Sequence, residues 1–155
     1  MKKSLSPRPL SIKVLAIEHF ISVPATILLL VLFKDAGVIF GVTIHGWVTV
    51  LFTLCYAGLA LYLGFGLWKL QERARKIAIW YWVYALVNIW LYTFNPATQI
   101  EVTKVVRGVL GTPSTGQLDT SPLRTLPNAI GVTITSILSI WFLIKRKSAF
   151  IQKNG

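Results

Sequence analysis

The sequence predicts an all-α fold, an integral membrane four-helix bundle with antiparallel helices, and three observations support this prediction. Of the 155 residues, 54% are hydrophobic and only 14% are charged, a surplus of apolar side chains for which lipid is the natural solvent. The apolar residues fall into four runs, each about as long as a membrane-spanning helix requires. Lysine and arginine collect at the ends of these runs, as they do in cytoplasmic loops.

The first predicted span covers residues 12–33, with Pro24 near its middle. A proline removes one backbone hydrogen bond, and neighbouring helices in a membrane tolerate the resulting kink. The second span covers residues 46–68, and residues 38–45 before it are too few to cross and are expected to lie at the interface. Cys55 is the only cysteine, which excludes an internal disulfide and a cysteine-based metal site.

The basic hinge, residues 68–76, joins the second span to the third, which covers residues 77–95. A connection this short joins neighbouring antiparallel helices, and its cations place it on the cytoplasmic side. The same cations predict binding to anionic lipid headgroups, at about 1 kcal/mol per cation near the surface. These cations are Lys69, Arg73, Arg75 and Lys76.

The third connection is an outer loop that covers residues 96–124. Thr98-Gln99-Ile100-Glu101 fits the capping box of a helix, and apolar residues follow it at helical spacing. This pattern favours a short amphipathic helix, although its many valines leave an edge strand open for residues 99–110. Residues 112–121 are predicted to form a polar loop, and the fourth span covers residues 125–144.

The orientation follows from the cations at each end of the spans. The amino terminus, the basic hinge and the tail together hold twelve cations, and the opposite side holds four, Lys34, Lys104, Arg107 and Arg124. The positive-inside bias therefore predicts a multi-pass protein with both termini in the cytoplasm.

Each span also carries a stripe of small and polar residues at steps of three and four, the spacing of a helix-packing seam. These stripes place Ser22, Thr53, Asn88 and Thr135 near mid-depth as a polar mid-membrane layer. One interpretation is a small polar cavity or substrate path. The favoured interpretation is that Asn88 bonds a neighbouring helix while the hydroxyls bond their own backbone carbonyls.

Glu18 is the only acidic residue inside a predicted span. It lies close enough to the basic end of that span to reach the headgroups or to pair with Arg73 or Lys76. His19 points about 100° away from it on a helix, so the two do not form a dyad. His45 is expected to be an amphipathic anchor at the outer interface.

Several classes of function are disfavoured. The chain has no HExxH, GxSxG or Walker motif, so we predict no catalytic residue, no metal site and no cofactor. The net charge of +11 is spread over the ends of apolar runs, whereas a nucleic-acid surface requires clustered cations. Nucleic acid is therefore not an expected partner.

The segment Leu61–Lys76, LYLGFGLWKLQERARK, resembles the G-x-G-L-W-K-L … A-R hinge of small bacterial four-span membrane proteins of uncharacterised function. The opening Arg8–Lys13, RPLSIK, is similar to theirs, and the likeness covers about half of the chain, through the third span. The resemblance implies a protein of the bacterial cytoplasmic (inner) membrane and supplies no catalytic residues.

Three hypotheses of function remain. The first is a non-enzymatic membrane module or accessory subunit that self-associates as a homo-oligomer or joins a larger membrane complex. The second is a small transporter or permeation subunit that uses the polar mid-membrane layer. The third is a membrane-embedded enzyme acting on lipid, in which Glu18, His19 and the basic hinge meet an anionic headgroup.

Overall fold

Helices dominate the computed structural model, which describes residues 9–32, 37–111 and 122–151. The all-α prediction is confirmed apart from one short β-hairpin. The elements follow one another as α1 (Leu10–Leu32), β1 (Gly37–Ile39), β2 (Val42–Ile44), α2 (Trp47–Trp68), α3 (Glu72–Thr93), α4 (Pro96–Val109), α5 (Pro122–Lys145) and α6 (Lys147–Ile151). Several predictions lie outside the described residues, namely those on Lys2, Lys3, Arg8, Lys34, the loop 112–121, the side chain of Arg124, and Lys153.

Three of the described helices are long and apolar enough to cross a membrane, judged by length and composition: α1, α2 and Thr125–Lys145 of α5. The third predicted span, in α3, passes the same test only together with α4, and the two helices are bent by 92° at their junction. The reason lies in the composition of α3, which begins with charged residues and is rich in tryptophan and tyrosine. Because α3 begins at Glu72, most of the basic hinge is helical.

The turn of the basic hinge brings α2 and α3 very close together. Leu70 has a positive φ of 56°, and the amide of Gln71 donates to the carbonyl of Gly66 at 2.8 Å, which reverses the chain within three residues. A Cβ placed on Gly66 would lie 2.2 Å from the Cβ of Ala74. Only glycine therefore permits this approach of the two helices.

The hydrophobic core lies in the half of the molecule next to the basic hinge, which we call the hinge-side half. α1 packs along α2 and α3 packs along α5, and α6 adds Phe150 beneath them. The core residues come from the start of α1, the end of α2, the turn after it, the start of α3, the end of α5 and α6: Ile12, Leu15, Ala16, Leu63, Leu67, Leu70, Ala78, Trp82, Leu143 and Phe150.

The opposite end, the hairpin-side half, contains the β-hairpin, which the sequence analysis did not predict. β1 pairs antiparallel with β2, with Val38 opposite Thr43. The turn residues Phe40 and Gly41 have φ angles of 49° and 72°. Two positive φ values define the type I′ turn, whose twist matches that of paired strands.

Residues 96–109 form a helix, so the strand alternative for this segment does not occur. The predicted capping box is wrong, because α4 begins three residues earlier than Gln99. Asn95 is the cap, since its Oδ1 accepts from the amide of Thr98 at 3.3 Å, and Pro96 occupies the first turn.

Candidate functional site

The hairpin turn is held by a turn clamp of three polar side chains, Asn88 of α3, Asn95 at the α3–α4 junction and Thr98 of α4. The amide of Gly41 donates to Asn88 Oδ1 at 3.2 Å. The carbonyl of Gly41 accepts from Asn95 Nδ2 at 2.8 Å and from Thr98 Oγ1 at 2.6 Å. A Cβ on Gly41 would lie 2.7 Å from the backbone carbon of Leu91, so the turn rests directly on α3.

The corner between α3 and α4 is fixed by a second set of hydrogen bonds. Gln99 Nε2 donates to the carbonyl of Thr93 at 2.7 Å and to that of Tyr92 at 3.3 Å. The last carbonyls of a helix lack amide partners within the helix, and here the buried side chain of Gln99 donates to two of them. α4 is thereby held across the end of α3.

A cavity of about 570 Å³ lies beneath α4 and the hairpin, a volume typical of small-molecule sites. The apolar part of its wall includes Leu29 and Leu30 of α1, Phe52 of α2, Ile89 of α3, Val102, Val105 and Val106 of α4, and Val132 of α5. The polar part is formed by Thr26, Thr49, Thr53, Tyr56, Tyr84, Asn88 and Tyr92. Among the described residues, no charged side chain lines the cavity.

The structure brings two of the four residues of the polar mid-membrane layer to this cavity. Thr53 and Asn88 line it, whereas Ser22 and Thr135 do not. The hydroxyls of Ser22 and Thr135 donate to carbonyls three and four residues earlier in their own helices, at 2.8 and 2.9 Å. The favoured interpretation therefore describes these two hydroxyls, but Asn88 bonds the hairpin turn and not another helix.

Thr53 and Asn88 also lie nearer the end of the molecule than the sequence analysis expected. Thr53 is six residues from the start of α2 and Asn88 five from the end of α3. At 1.5 Å per residue these distances are roughly 9 and 8 Å, which places both side chains in the hairpin-side half.

Both residues keep an unused hydrogen-bond donor. A backbone amide only donates, so the Asn88 atom facing Gly41 is the oxygen, and this fixes the position of Nδ2. Neither Asn88 Nδ2 nor the Thr53 hydroxyl has a hydrogen-bond partner in the described part of the chain. The buried hydroxyl of Tyr84 and the hydroxyl of Thr26 also line the cavity without a partner among the described residues. The cavity wall thus combines a mainly apolar surface with four donor groups that nearby side chains do not satisfy.

A cluster of ring side chains connects the cavity with the hydrophobic core. The hydroxyl of Tyr56, a cavity residue, is hydrogen-bonded to that of Tyr81. The ring of Tyr81 meets the ring of His19 edge to face, with 5.0 Å between centroids. His19 is buried, and its Nε2 has no partner among residues 9–32, 37–111 and 122–151.

Glu18 is half-buried, and within the described residues it forms no ion pair. Of the two arrangements expected for Glu18, the pairing with Arg73 or Lys76 is therefore not found, and contact with headgroups stays a prediction. His45 lies 3.8 Å from Glu101 in an exposed contact between the hairpin and α4, which is an ion pair when the imidazole is protonated. The described residues contain no group of three or more histidine, cysteine, aspartate or glutamate side chains that could hold a metal ion.

The cations of the basic hinge have unequal surroundings. Arg75 is buried and donates to both carboxylate oxygens of Glu72, at 2.7 and 2.6 Å, and to the carbonyl of Leu143 at 3.3 Å. The hydrogen bonds from Arg75 lower the pKa of Glu72. Arg75 therefore fastens α3 to α5 and is not presented to a headgroup.

The other three hinge cations, Lys69, Arg73 and Lys76, are exposed. Because these side chains reach the surface, the headgroup prediction now applies to them and not to Arg75.

Gly41, Asn95 and Thr98 were not predicted from the sequence to lie together. The available signal was the series of amide and hydroxyl side chains around the end of an aromatic helix, Asn88, Asn95, Thr98 and Gln99. No protein-family model matches this chain, and no curated protein or solved structure matches it either. The proposals below therefore rest on the geometry of this chain.

Proposed function

We propose that the chain is an integral protein of the cytoplasmic (inner) membrane, an antiparallel four-helix bundle that acts as a non-enzymatic membrane module. The observation that carries this proposal is the apolar surface of the long helices. Leu28 of α1, Leu51 of α2 and Ile137 of α5 are 59%, 66% and 56% exposed. Apolar surface in water costs about 25 cal/mol per Å², and lipid removes this cost.

The charges at the two ends support the orientation. The hinge-side end exposes Arg73 and Lys76 of α3 and the run 145–147 at the junction of α5 and α6. The hairpin-side end has fewer cations in its described residues, and Glu101 partly offsets them. By the positive-inside bias, the hinge side and both termini face the cytoplasm, and α4 lies flat at the outer interface.

The position of the cavity supports the non-enzymatic module over the alternative, a small transporter or permeation subunit. Thr53 and Asn88 do line a cavity, which is the observation in favour of the alternative. The hydrophobic core, however, fills the hinge-side half with Leu63, Leu67 and Trp82. Because the cavity is confined to the hairpin-side half, a ligand would bind and leave on the same side.

The lipid-enzyme hypothesis receives less support. His19 is buried against Tyr81, so its ring does not meet a headgroup together with the exposed hinge cations. A homo-oligomer or a membrane-protein partner stays part of the proposal. Purification from native membranes in a mild detergent, followed by identification of what comes with the chain, tests that part.

Two measurements test the membrane placement. Alkaline extraction of vesicles should leave the chain in the membrane fraction. Reporter fusions should indicate a cytoplasmic location for both termini and a location on the outer side for residues 112–121. Release by alkali, or cytoplasmic activity within residues 112–121, would overturn the proposal.

A further inference from the structure

The cavity beneath α4 has the features of a site for one chemical class of ligand. We infer that it binds a neutral amphiphile of the membrane, a molecule with an apolar body and an uncharged hydrogen-bond acceptor such as an ester carbonyl. The inference rests on the membrane placement proposed above, and it adds the ligand class that the non-enzymatic module would hold.

The apolar body follows from the wall of the cavity. Val102, Val105 and Val106 of α4 form its roof, and Leu29, Leu30 and Ile89 contribute to its sides. Burying an ion against such a wall without a partner is strongly unfavourable, and no charged side chain among the described residues lines the cavity. The ligand is therefore uncharged where it enters.

The acceptor follows from the unsatisfied donors of the wall, among which Asn88 Nδ2 can only donate. Asn88 is preoriented, because the amide of Gly41 holds its oxygen and leaves Nδ2 in a defined position. The Thr53 hydroxyl belongs to the same wall and, within the described residues, has no partner. A ligand carbonyl that accepts from these donors satisfies groups whose isolation in apolar surroundings is unfavourable.

The route of entry follows from the exposure of the wall. Thr26 of α1 and Val132 of α5 line the cavity and are half-exposed, and these helices pack mainly against α2 and α3 rather than against each other. The entrance is therefore placed between α1 and α5, where the membrane placement puts lipid. A lipid from the outer leaflet reaches the cavity without crossing water.

The test uses the full chain in nanodiscs and two photoactivatable probes with identical diazirine-bearing acyl chains. One probe is diacylglycerol, which is neutral, and the other is phosphatidylglycerol, which is anionic. The neutral probe should label peptides of α2, α3 and α4 that line the cavity, in preference to the anionic probe. Equal labelling of those peptides by both probes would overturn the inference.

A pair of variants on α4 tests the location. Val106→Trp fills the cavity from its roof and should reduce labelling at least about tenfold. Val109→Trp makes the same change at an exposed position that does not line the cavity and should leave labelling unchanged. Labelling that survives Val106→Trp would place the ligand elsewhere and overturn the inference.

A second pair tests the donors without changing the shape of the wall. Thr53→Val removes one hydroxyl and should weaken labelling roughly fivefold, the value of one hydrogen bond. Thr135→Val is its control, because that hydroxyl bonds its own helix outside the cavity. No difference between the two variants would overturn the assignment of the acceptor.

The outcomes separate this inference from the proposed function. If alkaline extraction releases the chain, the membrane placement fails whatever the probes show. If the chain stays in the membrane and neither variant pair behaves as expected, the cavity inference alone fails.

Discussion

The two halves of this molecule are held together by different forces. In the hinge-side half, small and apolar side chains fill the space between helices, and Gly66 lets α2 and α3 touch. In the hairpin-side half, the turn clamp and Gln99 hold a hairpin and a helix over a cavity. The comparison shows how one set of helices forms a closed core at one end and a binding space at the other, because directed hydrogen bonds fix positions without filling volume.

The largest effect is expected from Gly41→Ala, which breaks the hairpin-side half. The new Cβ lies 2.7 Å from the backbone of Leu91, and the alanine must also adopt the positive φ of 72° that Gly41 has. We expect the free energy of unfolding to fall by about 3 kcal/mol or more, the sum of the costs of a left-handed backbone and a steric clash. Unfolding in a denaturing detergent measures it.

Gly111→Ala is the matched control, because Gly111, just after α4, has a φ of 64° with nothing within 4 Å of its Cβ position. It should lose only the backbone part, about 1 kcal/mol. Equal losses for the two variants would show that the contact between the turn and α3 does not support the hairpin.

The next effect is expected from Gly66→Ala, which breaks the hinge-side half. A Cβ at this position overlaps that of Ala74, so α2 and α3 must separate at the turn. We expect destabilisation of about 1–3 kcal/mol in the same unfolding assay. Gly58→Ala, on the same helix with open space around it, should instead be neutral or slightly stabilising.

Much of the hinge-side half was predictable from the sequence, and much of the hairpin-side half was not. Hydropathy and the basic hinge indicate long helices and their order, because these signals are local. The turn at Gly41 depends on Asn88 and Asn95, which lie 47 and 54 residues further along the chain. The pair Phe40-Gly41 does not match the Asn-Gly or Asp-Gly pattern that identifies such turns in a sequence.

The candidate site was predictable only in part for the same reason. Thr53 and Asn88 stood out as polar residues within apolar runs, but the cavity that joins them depends on the 92° corner at α4. The buried position of Arg75 could not be predicted either, because composition does not distinguish it from Arg73, two residues earlier. Its partners, Glu72 and Leu143, are known only from the fold.

A smaller effect is expected from acid, and it concerns the hinge-side half. Arg75 lowers the pKa of Glu72 below its ordinary value of about 4.5, so the pair stabilises the fold at neutral pH. This stabilisation should persist down to about pH 4.5 and be lost as the pH falls through the lowered pKa. Thermal unfolding between pH 7 and pH 3 measures it.

The variant Glu72→Gln should be less stable at pH 7 by about 1.5 kcal/mol, the value of a hydrogen bond to a charged group. It should also show a weaker dependence on pH in that range. A variant that keeps the full acid dependence would assign the dependence to another group.

The smallest effect is expected from the charge difference between the two ends. Arg73→Gln removes an exposed cation of the basic hinge and should weaken the binding of phosphatidylglycerol about fivefold, because one cation near an anionic surface contributes about 1 kcal/mol. Lys104→Gln removes an exposed cation from α4 on the hairpin side and should change this binding less. Native mass spectrometry of the purified chain titrated with lipid measures both. If the two variants lose equal affinity, the hinge is no better a headgroup site than the opposite end, and the assignment of the cytoplasmic face loses one of its supports.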